Sequence, residues 1–246
     1  MNFNIFINGC SFSESQHNKN GPWKPWSDYL LDNDRYNILN SAISSNGQGK
    51  ILDNTVELIE AYPANLLGKP HLAIILFSAV SRGYSNNFDK FVEKVTQNTN
   101  YQSLLHEEEY NLGNESSVTD LITHVDWLFY KSTLCKIIVL KNYFENKKIP
   151  YLFFWGWQQI TPEMESNIVI KSLLKKVYDA NWWRFGEHGG MSEWGIEKFG
   201  KDKAVFSPED FHPSSLVHKA FYNEIILPNI KKILNNIYEP PEDLAL

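Results

Sequence analysis

The fold is decided by the stretch Phe3-Asn4-Ile5-Phe6-Ile7-Asn8-Gly9-Cys10-Ser11-Phe12-Ser13, close to the start of the chain. Its first five residues are mainly apolar without clean alternation, which predicts a strand covered by helices on both faces of a parallel sheet. A glycine and then a serine follow after this strand. Because open α/β sheets bind ligands at the carboxyl ends of their strands, Ser11 is predicted to project into a ligand crevice.

Three further runs of the same character predict three more buried strands: Tyr36–Ala42, His71–Ala79 and Tyr151–Trp157. Helical patterns separate and follow them over Gly49–Ala61, Val118–Asn146 and roughly Ser214–Tyr238. Pro228 is expected to kink or split the last helix, because proline removes a backbone donor. The alternation of strands and helices implies right-handed crossovers, so we predict an α/β fold with a doubly wound parallel sheet.

Two stretches do not fit a minimal α/β core. Ser85–Ser117 is polar and rich in asparagine, and Asn181–Lys203 combines three tryptophans with five glycines. We interpret both as insertions over one edge of the sheet. The chain has no internal repeat and no linker, so residues 1–246 are predicted to form a single domain.

The composition is that of an ordinary globular protein of 246 residues, with 43% hydrophobic and 21% charged residues. A formal net charge of −6 argues against a nucleic-acid-binding face, and the longest basic cluster, Lys171–Lys176, has the spacing of a solvated helix face.

Two cysteines are too few for a secreted disulfide framework. The N-terminus does not resemble a signal peptide, and no apolar run reaches the ~18 residues of a membrane span. We therefore expect a soluble, cytoplasmic protein without a nucleic-acid or membrane partner.

Two nucleophiles lie next to each other after the first strand. Side chains alternate in an extended segment, so Cys10 is predicted to point away from the direction of Ser11 and to pack in the core. If a helix follows, its backbone N–H groups can hold an oxyanion beside the serine. A tight turn with capping serines is the alternative interpretation.

The second candidate group stands just before the last helix, in Glu209-Asp210-Phe211-His212-Pro213. A histidine that acts as a general base needs a carboxylate to hold its tautomer and orientation, and two carboxylates lie just upstream of His212. An ordinary helix N-terminus with favourable acidic residues is the alternative. The large separation from Ser11 in the sequence is normal for a nucleophile and its base.

These two segments resemble the first and last blocks of the SGNH, or GDSL-like, hydrolases. The first block of that family reads Gly-Asp-Ser after the first strand, and Gly9-Cys10-Ser11 is similar to it with cysteine in place of aspartate. The last block carries an acid shortly before a histidine, as Glu209-Asp210 does before His212. The resemblance implies a three-layer αβα sandwich with a flavodoxin-like sheet, and it extends to compact, divergent members encoded by bacteriophages.

The two middle blocks of the family supply oxyanion donors, and the chain departs from both. Counting from Asn40, the glycine of the second block falls on Ser45, whose backbone N–H would still serve, and Asn46 and Gly47 follow directly. The asparagine of the third block is missing, since none follows the third strand before Asn86. The candidates in its place are Ser78, Ser81 and Arg82. Loss of one such donor costs about 10²–10³ in rate, so the resemblance implies slow turnover.

The resemblance implies an ester hydrolase or acyl transferase that needs no cofactor and no metal. In the implied mechanism Ser11 attacks the acyl carbonyl and His212 carries the proton to the leaving alkoxide. Either Asp210 or Glu209 orients the histidine. Two other functions stay open: a catalytically weak or inactive binding or virion-associated protein that keeps the fold, and a thioesterase or acyl carrier based on Cys10.

The substrate is expected to be a small-molecule or carbohydrate acyl ester. Trp182, Trp183 and Trp194 either form an aromatic platform for a sugar ring or pack the insertion that contains them. His188, in the same segment, is interpreted as a surface or hydrogen-bonded histidine and not as a catalyst.

Overall fold

A computed structural model of the chain describes residues 2–15, 23–44, 46–61, 69–78, 118–158 and 160–238. Five parallel strands form one sheet in the order β2-β1-β3-β4-β5. The strands are β1 Phe3–Asn8, β2 Tyr36–Asn40, β3 Leu72–Phe77, β4 Tyr151–Trp155 and β5 Trp182–Trp183. The predicted α/β class and flavodoxin-like parallel sheet are confirmed.

Helices run between the strands and after them. They are α1 Trp26–Leu31, α2 Gln48–Ala61, α3 Val118–Lys147, α4 Pro162–Ser166, α5 Ile168–Val177, α6 Met191–Phe199, α7 Lys201–Ala204, α8 Ser215–Phe221 and α9 Leu227–Tyr238. The start of α5 is fixed by Asn167, whose Oδ1 accepts from the backbone N–H of Val169 at 2.9 Å. Within the described part of the chain, no helix is both long enough and apolar enough to cross a membrane.

The central strands send alternate side chains into two separate cores. Along β3, Leu72 and Ile74 pack on the face covered by α1, α6, α8 and α9, while Ala73 and Ile75 pack on the face covered by α2, α3 and α5. All six side chains of β3 are fully buried. This two-sided burial explains why the strand is a continuous apolar run in the sequence, and it confirms three layers.

The segment 181–203 does not lie over the sheet as an insertion, because part of it belongs to the sheet. Trp182 and Trp183 pair in parallel with Phe153 and Phe154 and form the edge strand β5. The same segment then supplies α6. The other predicted insertion, 85–117, lies outside the described residues.

The last helical segment continues through Pro228 instead of splitting there. A π-helical turn, Tyr222–Ile226, joins α8 to α9, and the N–H of Leu227 donates to the carbonyl of Tyr222. The wider turn comes directly before the proline, which has no N–H to donate. The helical path is therefore continuous from Ser215 to Tyr238, with one π-helical turn ahead of the proline.

Candidate active site

The turn after β1 presents Ser11 at the carboxyl end of the sheet. The N–H of Ser13 closes this turn by donating to the Cys10 carbonyl at 2.9 Å. A Cβ atom at Gly9 would stand 3.0 Å from the carbonyl oxygen of Leu76, so a small residue is needed for the turn to pack against β3. Ser11 itself is buried, at 5% exposure.

Asn8 ties the end of β1 to α2. Its Nδ2 donates to the Thr55 hydroxyl at 2.8 Å and to the Ile51 carbonyl at 3.0 Å, while its Oδ1 accepts from the N–H of Gly9 at 2.7 Å. The side chain is fully buried, and each of its polar atoms has a partner. These bonds hold the backbone from which Ser11 projects.

The loop between α7 and α8 carries the second half of the site. An antiparallel bridge joins Val205 to Pro213, and the N–H of Phe206 donates to the His212 carbonyl at 2.8 Å. The N–H of Asp210 donates to the Ser207 hydroxyl at 3.0 Å. The loop is thus closed on itself, so the positions of its histidine and aspartate are coupled.

Ser11, His212 and Asp210 are joined by a continuous chain of contacts. The Oγ of Ser11 lies 2.7 Å from Nε2 of His212, within the range expected for a nucleophile and its base. Nδ1 of His212 lies 2.5 Å from Oδ1 of Asp210. Glu209 is exposed and accepts from the Ser207 hydroxyl at 3.2 Å. Of the two carboxylates that the sequence offers, the structure places Asp210 on the histidine.

The environment of Asp210 favours its charged form. The backbone N–H of His212 donates to Oδ1 at 3.0 Å, and the imidazole donates to the same oxygen. These two bonds, the backbone one first, hold the pKa of Asp210 below its usual value. A carboxylate at this position keeps Nδ1 protonated, which leaves Nε2 with its lone pair towards Ser11.

Aromatic side chains enclose the imidazole of His212. The indole of Trp23 stacks on it, with ring centroids 5.4 Å apart and an interplanar angle of 19°. Phe12 contacts it edge-on with ring centroids 5.4 Å apart, and Phe206 contacts the Trp23 ring edge-on with centroids 5.3 Å apart. No local motif in the sequence links Trp23 to a histidine so distant in the chain, so its place beside His212 is visible only in the folded protein.

The middle-block residues are only partly described. Ser45, Ser81 and Arg82 lie outside the described residues. The hydroxyl of Ser78 donates to the Asn46 carbonyl at 2.8 Å, so its single proton is already used and it is not a side-chain donor for an oxyanion. Gly47 is buried at the start of α2. The side chain of Asn46 is 4% exposed, and its Nδ2 has no hydrogen-bond partner among the described residues.

Cys10 is placed as a core residue. It is fully buried among the apolar side chains on the α1 and α8 face of the sheet. Cys135 is exposed on α3, and the two cysteines form no disulfide. The side chain of Cys10 therefore belongs to the core, on the same face of the sheet as Ile5 and Ile7.

The tryptophans of segment 181–203 do not form an exposed platform. Trp182 and Trp194 are 6% and 9% exposed, and Trp182 stacks on Phe77 with centroids 5.5 Å apart. Trp183 is half-buried against Phe154. His188 is buried, and its Nδ1 lies 3.2 Å from the Tyr178 hydroxyl. The interpretation of these tryptophans as a sugar-binding surface is therefore wrong, because their rings fill the core beside the edge strand.

A cavity of about 420 Å³ opens beside the imidazole of His212. Aromatic and aliphatic side chains supply most of its wall, among them Phe12, Trp157, Ile196 and Phe211. The sequence predicts Trp157 as the last residue of a buried strand. In the structure β4 ends at Trp155, and the chain turns so that Trp157 faces this cavity.

Comparison with known proteins identifies similar folds but no sequence relative. No protein-family model matches the chain, and no curated protein matches its sequence. The esterase EstA from Pseudoalteromonas sp. superposes with a TM-score of 0.52 at 14% identity, covering 95% of this chain and 99% of that chain. TesA superposes with a TM-score of 0.50 at 12% identity, covering 94% of this chain and 99% of that chain. At such identities the likeness concerns the fold.

Proposed function

We propose that the chain, which has the fold of the SGNH (GDSL-like) hydrolases, is a serine ester hydrolase with Ser11 as its nucleophile. The observation that carries this proposal is the contact chain from Ser11 Oγ through His212 to Asp210, with lengths of 2.7 and 2.5 Å. A buried serine hydroxyl on an imidazole that is itself held by a carboxylate is the arrangement that activates serine for acyl transfer.

The proposed reaction proceeds through an acyl-serine. Ser11 Oγ forms a bond to the acyl carbon of the ester while Nε2 of His212 takes its proton. The tetrahedral intermediate then breaks its bond to the alcohol oxygen, and His212 returns the proton to that oxygen. In the second half, water attacks the acyl-serine with His212 again as base, and a carboxylic acid leaves from a regenerated Ser11.

Asp210 fits the role of the orienting acid better than Glu209. Its carboxylate bonds both the ring and the backbone N–H of His212, and its lowered pKa keeps it ionised. When His212 becomes an imidazolium during the attack, this charge stabilises it. Glu209 is exposed, and its only described bond goes to the Ser207 hydroxyl.

Two donors are proposed for the oxyanion. The first is the backbone N–H of Ser11, at the start of the turn that follows β1. The second is Nδ2 of Asn46, a buried amide donor that has no partner in the described part of the chain. The loop that carries Asn46 is tied to the end of β1, since the N–H of Ile43 donates to the Gly9 carbonyl at 3.3 Å. A side-chain amide would thus be supplied from the second block in place of the missing third-block asparagine.

A fluorophosphonate probe tests the nucleophile directly. EstA, which shares the fold, was crystallised with monoethylphosphonate as its inhibitor. We expect the probe to add one mass equivalent to the peptide containing Ser11 in the wild type and none in Ser11→Ala. Ser13→Ala is the matched control, because it removes a buried hydroxyl from the same turn and should leave labelling intact.

Turnover of p-nitrophenyl acetate is the second measurement, with the wild type, Ser11→Ala and Ser13→Ala compared. Loss of both labelling and turnover in Ser11→Ala alone supports the proposal. Labelling at Cys10, or wild-type protein that neither reacts with the probe nor cleaves any ester, would overturn it and favour the thiol or the binding-protein alternative.

A further inference from the structure

The cavity beside His212 is apolar over most of its wall. Phe12 and Trp157 pack against each other with centroids 5.2 Å apart, and Ile196 and Phe211 contribute aliphatic and aromatic surface. Ile196 and Phe211 are 39% and 63% exposed, so apolar surface of this site is left open to solvent. Concave apolar surface beside reactive groups is the usual form of a small-molecule site.

The carboxylates in the wall do not make the cavity a binding site for an ion. Glu193 is a wall residue, and its Oε2 accepts from the backbone N–H groups of Gln158 and Gly190, both at 2.9 Å. Asp210 is held by His212. Both carboxylates are thus engaged by groups of the protein itself, which leaves apolar contact as the main recognition that the cavity offers.

The position of the cavity decides which part of an ester enters it. Its wall includes His212 and Asp210 but, among the described residues, not Asn46, the proposed oxyanion donor. In serine ester hydrolysis the histidine protonates the departing alcohol oxygen, so the alcohol group lies on the histidine side of the scissile bond. The cavity therefore faces the alcohol portion and not the acyl portion.

We infer that the cavity between Phe12, Trp157, Ile196 and Phe211 binds an apolar alcohol portion of the ester, an alkyl or aryl group, next to His212. This inference rests on the proposed function and specifies its substrate class. The binding energy comes from removing the alkyl or aryl surface from water. Each buried CH₂ group raises the affinity about three- to fourfold. The hydroxyl groups of a sugar bound in this cavity would lack hydrogen-bond partners.

A series of acetate esters tests this inference at constant acyl group. Ethyl, butyl and hexyl acetate differ only in the length of the leaving alcohol. Ethyl acetate, ethyl butanoate and ethyl hexanoate differ only in the length of the acyl group and form the matching series. For the wild type we expect kcat/KM to rise at least about tenfold from ethyl to hexyl acetate. Ile196→Trp fills the cavity and should abolish this rise, so that the ratio of kcat/KM for hexyl acetate to kcat/KM for ethyl acetate falls to about one. Ile168→Trp, at an exposed isoleucine on α5, is the matched control and should behave as the wild type.

The outcomes separate the two proposals. Ser11 labelling together with a flat alcohol series in the wild type overturns the cavity inference alone. An equal loss for all esters in Ile196→Trp, or a change confined to the acyl series, overturns it as well. If Ser11 is not labelled and no ester is cleaved, the hydrolase proposal fails, and the cavity inference fails with it.

Discussion

The indole of Trp23 lies nearly parallel to the imidazole of His212, at 19° and with centroids 5.4 Å apart. In the proposed mechanism this imidazole takes a proton from Ser11 and becomes a cation. An aromatic face within about 6 Å of a cation stabilises it by ~0.5–2 kcal/mol. The stacked indole also limits rotation of the ring away from the serine.

Trp23→Ala should therefore lower kcat by roughly twofold to thirtyfold with little change in KM, since the interaction is strongest after proton transfer. Trp23→Phe keeps an aromatic face and should retain most of the activity. The measurement is kcat and KM for p-nitrophenyl acetate, together with the rate of fluorophosphonate labelling. An unchanged kcat in Trp23→Ala would make the stacking purely structural.

Asp210 and Glu209 are predicted to differ sharply when each is neutralised. Asp210→Asn removes the charge that orients and stabilises His212, so kcat should fall by on the order of 10³–10⁴. Glu209→Gln is the control, with an expected change below about twofold, because its carboxylate does not contact the histidine. Steady-state kinetics on both variants, with thermal unfolding to verify folding, decides between them. A larger loss in Glu209→Gln would reverse the assignment.

Cys10 is predicted to be silent in catalysis and protected from reagents. It is fully buried, whereas Cys135 is exposed. A thiol reagent should modify one equivalent in the native protein and two after denaturation, and Cys10→Ala should keep most of the ester hydrolysis. Two equivalents in the native protein, or loss of turnover in Cys10→Ala, would contradict the core placement and favour a thiol nucleophile.

The parts predicted well from the sequence are those with strong local signals. β3 lies inside the predicted run His71–Ala79, because a strand buried on both faces must be apolar throughout. β5 has only two residues, Trp182 and Trp183, and such a length carries no periodicity that distinguishes a strand from a loop. It is identified as a strand by its pairing with β4, and this pairing forms only when the chain folds.

The candidate site likewise has parts that the sequence predicts and parts that only the folded protein shows. The Ser11 and His212 segments are recognisable because each combines a nucleophile or base with its local partners. Trp23 and the cavity around Trp157 arise only when distant elements meet, so no spacing in the chain indicates them. The exclusion of Ser78 as an oxyanion donor depends on where its single proton goes, which is likewise visible only in the folded protein.

His218 makes the folded protein sensitive to acid. It is buried in α8, and its Nδ1 accepts from the N–H of Trp26 at 3.3 Å. Burial, with a smaller contribution from the charge of nearby His212, lowers the pKa of His218 to about 3. In the unfolded chain its pKa is about 6.5. The unfolded state therefore binds more protons between these values, and the free energy of unfolding should fall as the pH drops from about 6.5 towards 3.

Urea unfolding at several pH values between 7.5 and 4.5 measures this dependence. His218→Asn keeps an acceptor near the position of Nδ1 but does not titrate in this range. We expect its free energy of unfolding to fall less steeply with decreasing pH than that of the wild type. Equal slopes for the two proteins would show that acid sensitivity comes from other groups.

Asn46 is predicted to support activity without supporting stability. Its Nδ2 is buried, and no residue that the structure describes bonds it, an arrangement that costs folding free energy of about 1–3 kcal/mol for an amide donor. Asn46→Ala removes that unsatisfied donor, so its melting temperature should be equal to or above that of the wild type.

If Nδ2 of Asn46 serves the oxyanion, kcat should fall by about 10²–10³ in the same variant with KM nearly unchanged. Asn46→Asp should lose at least as much, because a carboxylate there repels the developing charge. Asn33→Ala, at an asparagine whose Oδ1 accepts from the N–H of Arg35, is the control and should leave kcat unchanged. A lower melting temperature with full activity in Asn46→Ala would instead assign this side chain a structural role and leave the oxyanion to backbone donors.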